Sequence, residues 1–248
     1  MQEIMELLTP RLVLRQWRDS DFAPFAALNA DPRVMAYFPA ALSREASDIM
    51  AKRCSGLIAE RGWGLWAVAL RENDALIGMT GLHIPAVQLP CSPCVEIGWR
   101  LAFDYWGQGY AQEAARAALQ AGFARLQLPE IVAFTALPNL RSSTLMARLG
   151  MRRDVDTFEH PALAPGHALR THCLYRRAAG ARWRAAILST RVVPATVARA
   201  HRRPTRPCGP GHPAAGARGC RGWWAGRAPS GAPPWRAAAD GPRRYRQG

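Results

Sequence analysis

Lysine is almost absent. Of the 33 basic residues in this 248-residue chain, Lys52 is the single lysine and the rest are arginine. With abundant alanine, glycine and proline, that bias points to a GC-rich coding sequence. It weakens any reading in which each arginine was placed for a phosphate. Long apolar runs are lacking too: no stretch approaches the ~18 residues of a membrane span, so no membrane partner is expected. The N-terminus, MQEIMELLTPRLVLRQW, lacks a basic region followed by an apolar one, so no secretory signal peptide is expected. The six cysteines, Cys54, Cys91, Cys94, Cys173, Cys208 and Cys220, are dispersed. A cytoplasmic location with reduced thiols is the expectation.

Acids are scarce in one region only. From Ala178 to Gly248 fourteen arginines face a single acid, Asp240, whereas residues 1–177 carry nineteen bases and seventeen acids. The formal charge of +15 is therefore concentrated in the tail. There proline or glycine recurs every few residues, and too little apolar surface is available to offset the entropy of ordering. The expected organisation is one domain over 1–177 and a disordered Arg/Pro/Gly-rich tail over 178–248. Trp183, Trp223, Trp224, Trp235 and Tyr245 in the tail would stack on bases. Yet no repeat and no regular basic–aromatic spacing is present. Non-specific contact with nucleic acid is the most that pattern supports, and out-of-frame translation of a GC-rich gene gives the same composition.

Within 1–177 the pattern alternates between helix and strand periods. RLVLRQW (Arg11 to Trp17) reads as a strand. A helix follows, with Asp19 or Ser20 as its cap and Pro24 early. A second helix begins after Ser43 and ends at Gly62. Trp63 to Leu70 and Ala75 to Ile84 read as a hairpin turning at Asn73-Asp74, and Cys94 to Phe103 as the next strand. A helix to about Arg125, a strand from Glu130 to Leu137, and a short helix capped by Asn139 and closed by Gly150 come next. Two final strands flank PALAPG. The order predicts an α+β fold with a mixed sheet flanked by helices.

The stretch YWGQGYAQEAARAAL (Tyr105 to Leu119) places two glycines directly before a strong helix former. A helix N-terminus presents unpaired N–H groups and partial positive charge, and glycines let a ligand approach them. Gly107, Gln108, Gly109, Tyr110 and Ala111 would therefore cradle a pyrophosphate. A tight turn is the plain alternative. No Gly-Lys-Ser/Thr follows, so this is not a P-loop, and the third glycine of a dinucleotide fingerprint is missing.

VEIGWRLAFDYWGQGYAQEAARAAL, followed by IVAFTALPNLRSSTLMARLGM, resembles the GNAT superfamily of acyl-CoA-dependent N-acetyltransferases. The ribosomal-protein-alanine N-acetyltransferase-like branch is the most similar. The likeness runs from about Thr9 to Arg177. It implies a mostly antiparallel sheet with a splayed strand pair that admits acetyl-CoA. The family's pyrophosphate loop aligns with Trp106, Gly109 and Ala111. Trp99 and Leu101 would offer their backbone edge to the pantetheine arm, with Asn139 and Ser142 beside the pantetheine or thiol. Glu96 is the implied general base, directly or through a water; a solvated strand-face carboxylate is its alternative. Family members often place a tyrosine in the last helix to protonate the leaving thiolate. Here none is present, and Ser142, Ser143 or a water would take its place.

Three residues are candidates for the amine-acceptor side. Trp63 and Trp66, three apart on the predicted strand, should face opposite ways, leaving Trp66 to wall the pocket. His83 and His160 complete that set. Cys91-Ser-Pro-Cys94 lacks the four ligands of a zinc site, so no metal is expected. The implied activity is acetyl transfer from acetyl-CoA to a primary amine, either a protein N-terminus or a small molecule. A non-catalytic acyl-CoA-binding module and nucleic-acid binding through the tail remain alternatives. The sequence does not decide between a monomer and a homodimer.

Overall fold

The computed structural model describes residues 3–180. The expected disordered tail and its aromatic residues lie outside them. Eight strands form one sheet: β1 (Leu7–Leu8), β2 (Leu12–Arg15), β3 (Leu65–Leu70), β4 (Leu76–His83), β5 (Glu96–Leu101), β6 (Glu130–Ala136), β7 (Arg152–Glu159) and β8 (Thr171–Ala178). Their order is β1-β2-β3-β4-β5-β6-β8-β7. Neighbours are antiparallel except β5 and β6, which run parallel and share a single register pair, Glu96 with Val132. The predicted mixed α+β fold is what forms.

The helices are α1 (Phe22–Ala30), α2 (Pro32–Met35), α3 (Arg44–Arg61), α4 (Tyr110–Ala124) and α5 (Leu140–Arg148). The signals read for α3 are used: Ser43 Oγ accepts from the Ala46 amide, and Gly62 takes the left-handed φ of 79°. The α1 start differs from expectation. Asp19 to Asp21 form a 3-10 turn and Asp21 is the N-cap, yet its side chain makes no cap bond. That carboxylate is instead held by Arg15, with Nη1–Oδ2 at 2.7 Å and Nη2–Oδ1 at 3.0 Å. Removing a carboxylate from this buried guanidinium would cost more than a cap bond contributes. Asp74, in the β3–β4 turn, accepts from Arg15 Nε at 2.9 Å, so one buried arginine ties β2, α1 and the hairpin together.

The core has two layers on one sheet. Asn29 of α1 and Met50 of α3 meet the Arg100 face of β5. α4 covers the opposite face with Ala114, Ala115, Ala118, Leu119 and Gly122. Its small residues permit close approach: a β-carbon on Gly122 would fall 2.6 Å from Ile131 Cδ1 and 2.9 Å from Leu82 Cδ1. This explains the alanine-rich sequence without reference to ligand.

Candidate active site

After β5 the chain makes a 3-10 turn, Phe103–Tyr105, and reaches two left-handed glycines, Gly107 (φ 76°) and Gly109 (φ 82°). Gly109 is the α4 N-cap and supplies no side-chain cap. The first helical bond runs from the Glu113 amide to the Gly109 carbonyl. The amides of Tyr110, Ala111 and Gln112 therefore lack intrahelical acceptors. A β-carbon on Gly107 would meet nothing within 4 Å, and on Gly109 only Arg11 Nη2 at 3.4 Å. The cradle is open and carries the positive end of a 15-residue helix.

Residues far away in sequence brace it. Glu113 Oε1 accepts from Thr9 Oγ1 (2.6 Å) and the Arg11 amide (2.9 Å), while Arg11 Nε and Nη2 both lie 2.7 Å from its Oε2. Burial alone would raise the Glu113 carboxyl; the Thr9 and Arg11 hydrogen bonds outweigh it and hold it below its ordinary value. Arg11 Nη1 also donates to the Gln108 carbonyl. The Arg141 guanidinium sits 4.8 Å above the Trp106 ring at the same end of the cavity. Sequence reading did not single out Arg141, because an arginine on an arginine-rich chain carries little signal.

The splay between β5 and β6 provides the next part. The Ala102 amide bonds the Ile77 carbonyl, so by antiparallel alternation the Ile97, Trp99 and Leu101 backbones point to the β6 side. Beyond the Glu96–Val132 pair, β6 no longer meets them. The Leu101 carbonyl is taken by the Trp106 indole at 2.9 Å, which leaves Trp99 as the open backbone position. Trp99 Nε1 donates across to Ser142 Oγ at 3.2 Å. Asn139 uses both ends of its amide within the fold: Oδ1 accepts from the Ser142 amide and Nδ2 donates to Thr135 Oγ1.

A cavity of about 980 Å³ runs from this cradle through the splay to the sheet face bearing Glu96, Gly98 and Arg100. His83 and Glu96 are cross-strand partners, with His83 Nε2 2.9 Å from Glu96 Oε2 and both side chains largely buried. Register places Phe134 and His172 on the same face, across the splay. Phe134, Phe158, His160 and His172 stack into one aromatic wall, the two imidazole centroids 4.9 Å apart. Cys91 and Cys94 are free thiols with Sγ atoms 3.5 Å apart. Among the described residues no group of three or more His, Cys, Asp or Glu side chains could hold a metal ion, and no helix is long and apolar enough to cross a membrane.

Trp66 does not belong to this wall. It is fully buried and donates from Nε1 to the Met5 carbonyl at 2.7 Å. The strand starts at Leu65, so Trp63 precedes it and the inferred opposition of the two rings does not apply. Both tryptophans are core. The other predicted cavity residues, Glu96, Trp99, Leu101, Trp106, Gly107, Gly109, Tyr110, Ala111, Asn139, Ser142, His83 and His160, all line the one cavity. Gln108 does not line it; its side chain folds back to the Asp104 carbonyl.

The imidazole pair has a consequence for stability. Burial pushes His160 down to about 4, helped by the neighbouring His172, which burial also lowers. The unfolded chain takes up these protons near pH 6.5 and the native chain does not. Stability is therefore full above about pH 6.5 and falls as pH drops towards 4, by roughly 2 kcal/mol for His160 after allowance for solvent screening. Urea titrations at pH 7 and pH 5 should show this loss, and His160→Gln should flatten it.

Residues 11–152 match the acetyltransferase (GNAT) domain family. YnaD of Bacillus subtilis strain 168, described as an uncharacterized N-acetyltransferase, is 32% identical over 151 residues, 60% of this chain and 84% of its own. A GNAT-family acetyltransferase from Bacillus anthracis shares the fold with a TM-score of 0.59 at 25% identity, over 71% of this chain and 99% of its own. RimL, a ribosomal α-N-protein acetyltransferase solved with coenzyme A, shares it at 16% identity with a TM-score of 0.55, over 69% and 97%. An uncapped helix facing a splayed parallel pair is thus embedded in a matched stretch covering more than half the chain, and the protein belongs to the GNAT family of acetyl-CoA-dependent N-acetyltransferases.

Proposed function

We propose that the chain acetylates a primary amine by direct attack on acetyl-CoA in a ternary complex, with residues 1–177 as the catalytic domain. The observation that carries this reading is continuity: one cavity joins the uncapped α4 amides, the open Trp99 edge and the Glu96 carboxylate. Acetyl-CoA supplies an activated acetyl thioester. The 107–112 amides would hold its pyrophosphate, and the Trp99 backbone its pantetheine arm.

Glu96, oriented by His83, takes a proton from the incoming ammonium so that a neutral amine attacks. An α-amine titrates near 8 and a lysine amine near ~10.4, so an α-amine demands less of this base. Helix α5 contains no tyrosine. Ser142 already accepts from Trp99, so its own hydroxyl proton is left to meet the departing thiolate. Protein N-termini and small-molecule amines are both compatible acceptors.

The test is thiol release from acetyl-CoA by the full chain, screened over N-terminal peptides and small amines. Acceptor-dependent release is expected. Binding of acetyl-CoA without acceleration by any amine would reduce the protein to an acyl-CoA-binding module.

A further inference from the structure

Two buried arginines in this domain are partnered in opposite ways. Arg15 has carboxylates on both edges: Asp21 on Nη1 and Nη2, and Asp74 on Nε. Arg100 is 4% exposed, yet among the described residues no carboxylate lies within 4.0 Å of it. Its Nη1 donates to Asn29 Oδ1 at 2.6 Å, with Met50 Sδ at 3.8 Å. The Phe38 ring covers its face at 4.1 Å. Its Nε has no hydrogen-bond partner. Among the described residues no hydrogen bond is made by Nη2 either. Nε and Nη2 form the side-on edge of a guanidinium, the edge that receives both oxygens of a carboxylate. Burial without a countercharge pushes the Arg100 guanidinium down to about 10.

Arg100 lines the cavity on the same strand face as Glu96, four residues along β5. Their α-carbons are ~13 Å apart at strand rise, and both side chains extend from one face. Between them lies Gly98, where an added β-carbon would meet nothing closer than 3.8 Å. The floor between the base and the guanidinium is thus a backbone trough, bordered by the Leu65 and His83 side chains. Val34, Tyr37, Phe38 and Met79 give the Arg100 end apolar walls. Asp104 also lines the cavity, but among the described residues it forms no ion pair with the guanidinium.

We infer that the acceptor is an amine that also carries a carboxylate, and that Arg100 is the residue that recognises the carboxylate while Glu96 receives the amine. This rests on the acetyltransferase reading above. It selects against polycationic amines, which would set a positive charge beside Arg100 with no acid to offset it. An α-amino acid, an ω-amino acid and a short peptide all satisfy the chemistry. Their different amine-to-carboxylate spans make the trough the length filter.

Calorimetry on the full chain saturated with coenzyme A tests this with isosteric pairs: 6-aminohexanoate against 6-aminohexanamide, and phenylalanine against phenylalaninamide. In at least one pair the carboxylate should bind about tenfold or more tightly than the amide. Asn29→Asp keeps the acceptor on Nη1, exchanges the amide's donation to Ser47 Oγ for acceptance from the Ser47 hydroxyl, and gives Arg100 an internal countercharge. The carboxylate preference should fall to within about threefold in that variant. Arg100→Gln should lose it as well, and Asn29→Asp stands alone if Arg100→Gln does not fold. Equal binding within both pairs, no binding of any probe, or a preference that survives Asn29→Asp would overturn the inference. Failure of coenzyme A itself to bind would instead remove the acetyltransferase reading, and this inference with it.

Discussion

Gly109→Asp should weaken acetyl-CoA binding by about a hundredfold or more, whereas Gly109→Ala should cost markedly less. The two variants share a β-carbon and the strain of a left-handed φ, worth about 1 kcal/mol of stability. Only aspartate adds an anion at the helix N-terminus, where it competes for the amides of Tyr110, Ala111 and Gln112 and repels a pyrophosphate. The native helix leaves those amides uncapped. Aspartate is among the strongest N-cap residues, so this variant fills its own ligand site while helix α4 persists. Titration calorimetry of the full chain separates the two outcomes. Wild-type affinity in Gly109→Asp would mean the glycines only shape a turn.

Glu96→Gln should lower kcat by roughly a hundredfold to ten-thousandfold, the range that general bases contribute, and leave acetyl-CoA affinity unchanged. Glutamine preserves the volume and can still accept from His83, so the trough keeps its shape. What is lost is the proton acceptor. Residual turnover should then climb with pH until the free amine deprotonates on its own, whereas the wild type reaches its plateau earlier. A purely positional role for Glu96 would lower kcat without moving that pH profile. His83→Asn offers a milder comparison, because the carboxylate stays and only its 2.9 Å neighbour changes.

Local features of this fold were legible wherever the cause is local. Ser43 and Gly62 bound α3 because capping needs only the neighbouring backbone. Gly107 and Gly109 announced the left-handed turn before α4 because that backbone selects glycine. Glu96 and Trp99 belong to the stretch that resembles a family motif; both pair with β4, and Glu96 alone pairs with β6. The misses share a different cause. Trp66 was read outward because alternation gives two faces but not which one another element covers; the backbone of Met5, sixty-one residues earlier, closes over it. The α1 cap fell at Asp21 rather than at Asp19 or Ser20, and its carboxylate serves Arg15 instead of the helix. Arg100 looked like any arginine in an arginine-rich chain. Its burial arises from α1, α3 and the loop of Phe38 meeting on β5, which no local pattern encodes. Four-residue α2 is too short for any period to show.

The single Glu96–Val132 pair divides more than the sheet. Strands β1 to β5 are neighbours in chain order and finish by Leu101, while β6 to β8 all follow Glu130. The seam in space is therefore also a seam in time during synthesis. A nascent chain released as far as α4 already holds Glu96, Arg100 and both glycines, each with most of its own support. It has no Phe134, His160 or His172 to face them. Within the described domain the cavity is the last part to be made, closed only when the segment from Glu130 to Ala178 docks along one pairing. A truncation inside β8 should leave β1 to β5 and α4 in place with the Glu96 face open to water.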